Sequence, residues 1–424
     1  MARLPFTTSD GTLTTNNLST SLWTFAAPVL VVAIALAFHL LANRFAGDYA
    51  QKVAIDCGIA VIAAVSLTVV NGFTGQFSIG HAAFIAIGSY VSGAITYYTL
   101  LSVTGTSLSE PTLLGWKQFL LAGSCVAAGV VAAIVGFFVG LPSLRLKGDY
   151  LAIVTLGFGE IVRVLLQQSS PQIFEADWKT STQSLATLPL GGSLGFTSLP
   201  LLTNIFWMLL FVGITLLLAY RLKYSTHGRA MIAIREDETA AQAMGVNVTQ
   251  LKVLAFVFAA FFGGVAGALY AHSGTTLVPR DAGFQRSFDI VMMVVLGGLG
   301  SISGAALAAV IIIASGEWLR EPTHVWHVGL LLVIARLGLA LALPASWKKR
   351  WLRSTLFMLG AIAAVELVRY AAIHFGIKLG DYRMVFFALV LILLMIYRPN
   401  GLFGIHEIWE FVRPSSTRQN QGKS

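Results

Sequence analysis

Long apolar blocks alternate with short polar segments along the whole chain. Most blocks are as long as a helix needs to be to cross roughly 30 Å of hydrocarbon, and none shows the period-two alternation of a membrane β-barrel strand. The pattern therefore predicts an all-α fold, a polytopic transmembrane helical bundle with about ten or eleven crossings. The blocks are residues 23–41, 53–70, 82–103, 119–141, 150–167, 201–220, 251–272, 288–318, 325–343, 355–375 and 384–397.

Composition supports a membrane protein and excludes an ordinary soluble domain. Hydrophobic residues make up 56% of the 424 residues and charged residues 11%, with a mean hydropathy of +0.77, whereas soluble domains carry about 25% charged residues. The net charge of +9 reflects basic loops between spans rather than a nucleic-acid-binding patch. Cys57 and Cys125 lie in apolar blocks, so they form neither a disulfide framework nor a metal-ligand spacing.

Basic residues orient the bundle. They concentrate at 221–252, at 348–353 and near the C-terminus, so these segments are expected to be cytoplasmic and 168–200 external. The polar segment 1–22 lacks the residue order of a cleavable signal peptide. The block at 288–318 is too long for one straight helix and is interrupted by glycines, which predicts a broken or re-entrant pair of helices.

A glycine-rich interruption separates the second apolar block from the third. Non-helical backbone at membrane depth is tolerated only where protein or water satisfies its polar groups, and transporters use such interruptions to build substrate sites near the midplane. The alternative is a tight turn in which small residues allow close helix packing. A second interruption at 297–304 hints at an internal repeat. The candidates for the translocation path in the first interruption are Gly75, Gln76, Ser78, Gly80 and His81.

Ionisable residues within apolar blocks form a second group of candidates. Glu160 and Arg163 are three residues apart and share a helix face, and Glu366 and Arg369 repeat that spacing. Arg336 also lies deep in an apolar block. Such residues either fix helix packing and reach towards the interface or carry protons in a coupled transporter. Glu160 joins the candidates for the translocation path.

The polar segment 227–245 predicts a short amphipathic helix in the most basic loop. Its acidic residues lie in the middle, and Gly245 suits a left-handed C-terminal cap. A helix of this kind either transmits a force from a soluble partner or is an ordinary interfacial helix. The sequence contains no Walker A phosphate loop, metal-ligand cluster or nucleophile elbow, which leaves a membrane enzyme as a third alternative.

Several segments together resemble one transporter family. Segments 75–84, 144–163 and 228–245, with shorter matches at 297–301 and 397–402, are similar to the branched-chain amino acid ABC transporter permease family, in particular to its M-type (LivM-like) subunits. The resemblance implies a permease subunit of an importer for branched-chain or related amino acids, not an enzyme, in a bacterial cytoplasmic (inner) membrane. Such a subunit has no ATPase site of its own and opens alternately to each side.

The resemblance also implies partners. They are a second related permease, two cytoplasmic ATP-binding subunits and an extracytoplasmic solute-binding protein. ATP binds to the partner subunits, and the chain itself binds no cofactor. Segment 228–245 is similar to the ATPase-coupling segment of ABC importers, although Thr239 stands where the family pattern has Glu. The residues implied in this contact are Arg235, Glu236, Glu238, Ala240, Ala241 and Gly245.

Two departures from the family leave alternatives open. Segment 180–186 lacks the family's Gly- and Asn-rich sequence, so urea, short amides and other amino acids remain alternative substrates, as does a self-sufficient proton-coupled carrier as a mechanism. Residues 321–380 are interpreted as an added helical hairpin. The predicted organisation is a polar N-terminal tail at 1–22, a permease core at 23–320, the hairpin at 321–380, a last span at 381–404 and a cytoplasmic C-terminal tail at 405–424.

Overall fold

The structure, a computed structural model, describes most of the chain, and the described part is helical. Apart from turns, it contains one isolated β-bridge, between Phe196 and Leu277, so the all-α prediction is confirmed. The described residues are 16–45, 47–104, 115–143, 149–171, 189–274, 276–320 and the single positions 389, 392, 401, 404 and 407.

Eleven α-helices lie within the described residues. They are α1 (Asn16–Phe45), α2 (Asp48–Thr68), α3 (His81–Thr104), α4 (Trp116–Ser143), α5 (Asp149–Gln167), α6 (Ile205–Tyr224), α7 (Thr226–Glu236), α8 (Glu238–Ala243), α9 (Val248–Ala271), α10 (Phe284–Gly297) and α11 (Ile302–Arg320).

Six of these helices are long and apolar enough to cross a membrane. They are α2 with a π-helical extension, α3, α4, α5, α6 and α9, and each coincides with a predicted block. Shorter apolar stretches lie in α1 and α11. The blocks predicted at 325–343, 355–375 and 384–397, and the hairpin at 321–380, lie outside the described residues apart from two single positions.

The long apolar block at 288–318 is broken, as predicted. Helix α10 ends at Gly297, and α11 begins at Ile302. Gly298 and Gly300 between them have φ angles of +117° and +99°, a backbone conformation that glycine adopts without the steric cost met by other residues. The glycines therefore end one helix and allow the next to start in a new direction.

The core is built around α9, which packs against α3, α4 and α2. Small residues allow this close packing: a side chain on Gly88 of α3 would collide with the backbone of Gly264 on α9. Helix α2 also packs against α11 and α6. Cys57 and Cys125 are both free, the first half-buried and the second buried.

The two ends of the bundle are distinguished by charge. Helix α2 begins and α11 ends at the same end, because the Tyr49 hydroxyl donates a hydrogen bond to Glu317 Oε2 (3.0 Å). The opposite end carries α7 and α8 and the basic last turn of α6. Since basic residues favour the cytoplasm, we call this the inner end and the first the outer end.

Candidate functional site

The first chain break lies at the inner end of a complete crossing. Helix α2 continues as a π-helical turn, Val69–Phe73, so Asp48–Phe73 spans 26 residues, or about 39 Å at 1.5 Å per residue. The chain then runs without regular structure to α3, which begins at His81. The break therefore starts at the inner end of α2 and runs back along it to the level of Ser66, where α3 begins.

Hydrogen bonds fix the backbone of this break. Asn71 Oδ1 accepts from the Ser78 N–H (3.1 Å), and Asn71 Nδ2 donates to the Ser78 carbonyl (3.4 Å). The Ile79 N–H donates to Thr155 Oγ1 of α5 (3.1 Å). Since a side chain on Gly80 would collide with the Thr155 carbonyl, only glycine allows α5 to approach this closely.

The polar side chains in and beside the break are buried, and they are Thr74, Gln76, Ser78 and His81. His81 Nε2 shares a hydrogen bond with Ser66 Oγ (2.9 Å), so His81 is held at the start of α3. Gln76 Oε1 accepts from the Thr74 hydroxyl (3.3 Å), whereas its Nε2 has no hydrogen-bond partner within the described part of the chain. Gln76 thus offers a buried donor, which is costly to keep without a ligand or water.

The second break, between α10 and α11, touches the first. A Cβ atom added to Gly72 would lie 2.5 Å from the nitrogen and 2.8 Å from the Cα of Gly300. No side chain fits between these backbones. The two interruptions that the sequence places 228 residues apart therefore form one contact at the inner end.

Arg235 joins this contact to the cytoplasmic loop. It lies in the last turn of α7, and its Nη1 donates to the carbonyls of both Gly72 (2.8 Å) and Leu299 (3.1 Å). Carbonyls at the end of a helix lack intrahelical partners, and a cation is a strong donor to them. One side chain therefore connects α7 to both breaks.

A buried ion pair lies beside this contact. Lys223, at the end of α6, donates to the Gly300 carbonyl (2.8 Å) and to Glu407 Oε1. Glu407 also accepts from the Ile302 N–H (3.0 Å) and the Ser303 N–H (2.9 Å), which caps the start of α11. Burial opposes ionisation of Glu407, but these hydrogen bonds outweigh it and hold its pKa below the ordinary value.

The sequence analysis missed both members of this pair. Lys223 was counted only as one of the basic residues in its loop, and Glu407 lies in the segment interpreted as a cytoplasmic tail. The available signal was weak: each is a single charge close to the end of an apolar block. Their pairing depends on tertiary contacts over 184 residues.

The segment 227–245 forms two helices, not the single helix predicted. The chain is extended at Asp237, and Asp237 Oδ1 accepts from the N–H groups of Thr239 (2.8 Å) and Ala240 (3.0 Å). Aspartate is a preferred N-cap residue, so it ends α7 and begins α8. Gly245 follows α8 with φ +82°, the left-handed conformation predicted for it.

Some of the residues implied in ATPase coupling pack against the bundle, and others are exposed to solvent. Ala241 is buried, and Glu238 forms an ion pair with Lys252 of α9 (2.8 Å), so these two residues hold α8 against the bundle. The other side of the segment is exposed. Of the implied residues Glu236, Ala240 and Gly245 are exposed, and so is the neighbouring Met244.

Glu160 lies on α5, five residues beyond the Thr155 that contacts the first break. It forms an ion pair with Arg163 (2.6 Å), which also donates to Gln167. These three side chains line a separate cavity of about 580 Å³ together with Arg280 and other residues of the loop before α10. Glu160 thus lines a cavity that none of the other five path candidates lines. The sequence candidates Glu366, Arg369 and Arg336 lie outside the described residues.

Comparisons with known proteins agree with this architecture. The family described as "Branched-chain amino acid transport system / permease component" matches residues 49–395. The LivM permease protein of Salmonella typhimurium is 34% identical over 314 residues, which cover 70% of this chain and 68% of that protein. The LivM permease protein of Escherichia coli is 33% identical over 310 residues, 69% and 68% of the two chains.

The LivH permease protein of Escherichia coli is a more distant relative, 26% identical over 261 residues, which cover 59% of this chain and 78% of that protein. The search of solved structures found no significant match. The family match covers most of the chain and includes both breaks and the α7–α8 segment. The chain therefore belongs to the permease components of branched-chain amino acid transport systems.

Proposed function

We propose that the chain is a membrane-spanning subunit of an ATP-driven importer for branched-chain amino acids. The relatives named as high-affinity branched-chain amino acid permeases support this substrate class. In the proposed assembly a second related permease pairs with this chain in a bacterial inner membrane. Two ATP-binding subunits act from the cytoplasm, and an extracytoplasmic solute-binding protein delivers the substrate. The chain itself supplies no ATPase site.

One observation carries the proposal: Arg235 connects the α7–α8 segment to both chain breaks. Caps make this segment rigid, because Ser225 Oγ accepts from the Gly228 N–H (3.1 Å) at the start of α7 and Asn247 Oδ1 accepts from the Gln250 N–H (3.1 Å) at the start of α9. A rigid segment transmits a displacement instead of absorbing it. Movement of α7 by an ATP-binding subunit would therefore move the carbonyls that meet at the inner end.

The exposed side of the segment provides the surface for that subunit. Met244, next to Gly245, is 84% exposed, although methionine is usually buried. Glu236 and Ala240 of the same segment are exposed as well. A large apolar side chain beside a carboxylate and a small residue suits an apolar pocket with a polar rim, which is the usual composition of a protein interface.

In this proposal the two breaks form the inner gate of the translocation path. Gly75, Gly80 and Ser78 set its backbone, His81 holds the start of α3, and the unpartnered Gln76 donor meets the passing substrate. Opening requires the Gly72 and Gly300 backbones to separate. Glu160 lies on a different cavity and has no part in this gate.

Reconstitution tests the function directly. Proteoliposomes containing this chain, a related permease and the ATP-binding subunits should accumulate labelled L-leucine when the solute-binding protein and ATP are supplied. Liposomes containing the chain alone should not accumulate it, with ATP or with an imposed proton gradient. Uphill uptake by the chain alone under a proton gradient would instead establish the coupled carrier.

Ala241→Pro tests the coupling segment. The Ala241 N–H donates to the Asp237 carbonyl (3.0 Å), and proline removes that donor and disrupts a helix interior at a cost of about 3 kcal/mol or more. We expect normal membrane insertion, weaker recovery of the ATP-binding subunits and lost uptake. Gln242→Ala, an exposed position on the same helix, is the control. Unchanged uptake in Ala241→Pro would move the coupling contact to another loop.

A further inference from the structure

A second polar region, at the outer end, is not explained by the gate or by the coupling segment. It is a cavity of about 420 Å³ between the outer ends of α2, α9, α10 and α11. This volume lies within the roughly 300–1,000 Å³ typical of small-molecule pockets. Because α2, α10 and α11 also form the two breaks, the cavity and the gate lie at opposite ends of the same three helices.

Charged side chains line the mouth of the cavity. Charges facing hydrocarbon are costly, so the mouth opens towards water. Lys52 pairs with Asp56 (2.8 Å), and Glu317 accepts from the Tyr49 hydroxyl (3.0 Å). The charged side chains of the lining are Lys52, Asp56, Arg286, Asp289 and Glu317, two cations and three carboxylates.

The deeper wall of the cavity is apolar. It is formed by buried aliphatic side chains of the same helices that carry the charges. A wall of this kind favours a hydrocarbon side chain over a polar one, because burial removes apolar surface from water. Its members include Ile59, Ala60 and Ala63 of α2, Ile290 and Met293 of α10, and Ile312 of α11.

Arg286 distinguishes this cavity from an ordinary surface network. Its guanidinium stacks on the Tyr270 ring, 4.8 Å from the ring centre, and the Tyr270 hydroxyl is held by Asp281 Oδ2 (3.2 Å). Within the described residues Arg286 forms no ion pair at 4.0 Å or less, and the nearby carboxylate on which its charge acts is Asp281. The planar guanidinium is thus positioned, and its donors suit a bidentate bond to a carboxylate.

We propose that this cavity is the substrate site of the permease and binds the free amino acid as a zwitterion. Arg286 binds the α-carboxylate, the acidic side chains of α2 and α11 attract the α-ammonium, and the apolar wall holds the branched side chain. The inference rests on the proposed function and adds to it a site, a binding orientation and a basis for selectivity. A bound amino acid bridges α2, α10 and α11, the three helices whose inner ends form the proposed gate.

The test uses the assembled transporter in nanodiscs without the solute-binding protein, and calorimetry with L-leucine. Arg286→Gln should weaken leucine binding by about tenfold to a hundredfold, since a hydrogen bond to a charged group contributes about 1.5–3 kcal/mol. Arg280→Gln is the matched control, because Arg280 lies six residues before Arg286, just ahead of α10, and lines the other cavity; it should bind leucine as the wild type does.

Analogues of leucine show which group of the ligand Arg286 binds. Leucinol lacks the carboxylate, so it should bind the wild type weakly and lose little further affinity in Arg286→Gln. The analogue 4-methylpentanoate lacks the ammonium and should still distinguish Arg286 from Gln. Equal losses for leucine and leucinol in Arg286→Gln would contradict a bond between Arg286 and the carboxylate.

A second variant tests the apolar wall through a change in substrate preference, which a misfolded protein would not show. Met293→Ala enlarges the apolar wall, so we expect the preference to shift from leucine towards phenylalanine, whereas an unchanged preference would place the side chain elsewhere. Failure of this proposal is distinguishable from failure of the proposed function: unchanged leucine binding by Arg286→Gln, in a transporter that still accumulates leucine with ATP, would overturn the site alone. A variant that lost only stimulation by the solute-binding protein would show that the charges dock that protein, which also overturns the site.

Discussion

The inner and outer ends of the bundle each contain an ion pair with a lysine, and the two pairs differ in burial. At the inner end the side chains of Lys223 and Glu407 are 7% and 0% exposed, whereas those of Lys52 and Asp56 at the outer end are 34% and 31% exposed. Separating the buried pair leaves charge in a medium of low dielectric. The half-exposed pair exchanges its partners for water or ligand at little cost. The ion pair at the inner end is thus expected to keep its partners, whereas the ion pair at the outer end can exchange its partners for water or a ligand.

Glu407→Gln should have the largest effect on stability. It leaves Lys223 buried without its anionic partner, and breaking a buried pair costs about 3–5 kcal/mol. We expect a large drop in the melting temperature of the purified protein. Glu236→Gln, which removes a carboxylate from the exposed surface of the same end, should change the melting temperature little. Equal melting temperatures for wild type and Glu407→Gln would mean that the pair contributes nothing.

The same residue predicts a pH dependence. The pKa of Glu407 is lower in the folded protein than in the unfolded chain, so its contribution is complete above the unfolded pKa of about 4.3 and is lost as the pH falls through the folded pKa. Melting curves below about pH 4 should therefore show acid destabilisation that is smaller in Glu407→Gln than in the wild type. The same acid destabilisation in the wild type and in Glu407→Gln would contradict a contribution from Glu407 ionisation.

Arg235→Gln should uncouple transport from ATP hydrolysis. The variant loses a charged donor to the Gly72 and Leu299 carbonyls, worth about 1.5–3 kcal/mol. We expect uptake at least about tenfold lower at a similar ATPase rate. Arg229→Gln is the control, because Arg229 is exposed on the same helix. Equal uptake by the two variants would exclude Arg235 from the connection.

Gly72→Ala tests the contact between the breaks with a single methyl group. The added Cβ meets the Gly300 backbone, which cannot rotate away as a side chain does, and overpacking costs about 1–3 kcal/mol. Gly123→Ala places the same methyl in open space on α4 and should be neutral or slightly stabilising. The two melting temperatures measure the cost, and a similar value for both would show that the inner end is loosely packed.

Asp56→Asn, which removes the carboxylate of the outer ion pair, should have the smallest effect on the melting temperature. An exposed pair contributes about 0–1 kcal/mol, so the melting temperature should change much less than in Glu407→Gln. A loss as large as that of Glu407→Gln would show that the outer charges are structural, and would remove the contrast between the two ends.

Local sequence patterns predicted the helices and the breaks between them, but not the tertiary contacts that these elements make. Apolar blocks fixed the crossings, glycines marked both breaks, and Gly245 adopts the left-handed cap expected of it. The junction at Asp237 was missed because a helix-compatible stretch hides a strong N-cap. Contacts such as Gly72 with Gly300, or Arg286 with Tyr270, join residues far apart in the sequence or on different helices. No local periodicity encodes them.

The backbone contact between Gly72 and Gly300 also bears on the electrical integrity of the membrane. Side chains that close a pore leave gaps for a file of water, along which protons move, whereas two glycine backbones this close leave none at that point. Each elementary charge that crosses 100 mV dissipates about 2.3 kcal/mol. With this contact as the proposed inner gate, the resting permease would sit in an energised membrane without draining the gradient that the rest of the cell depends on.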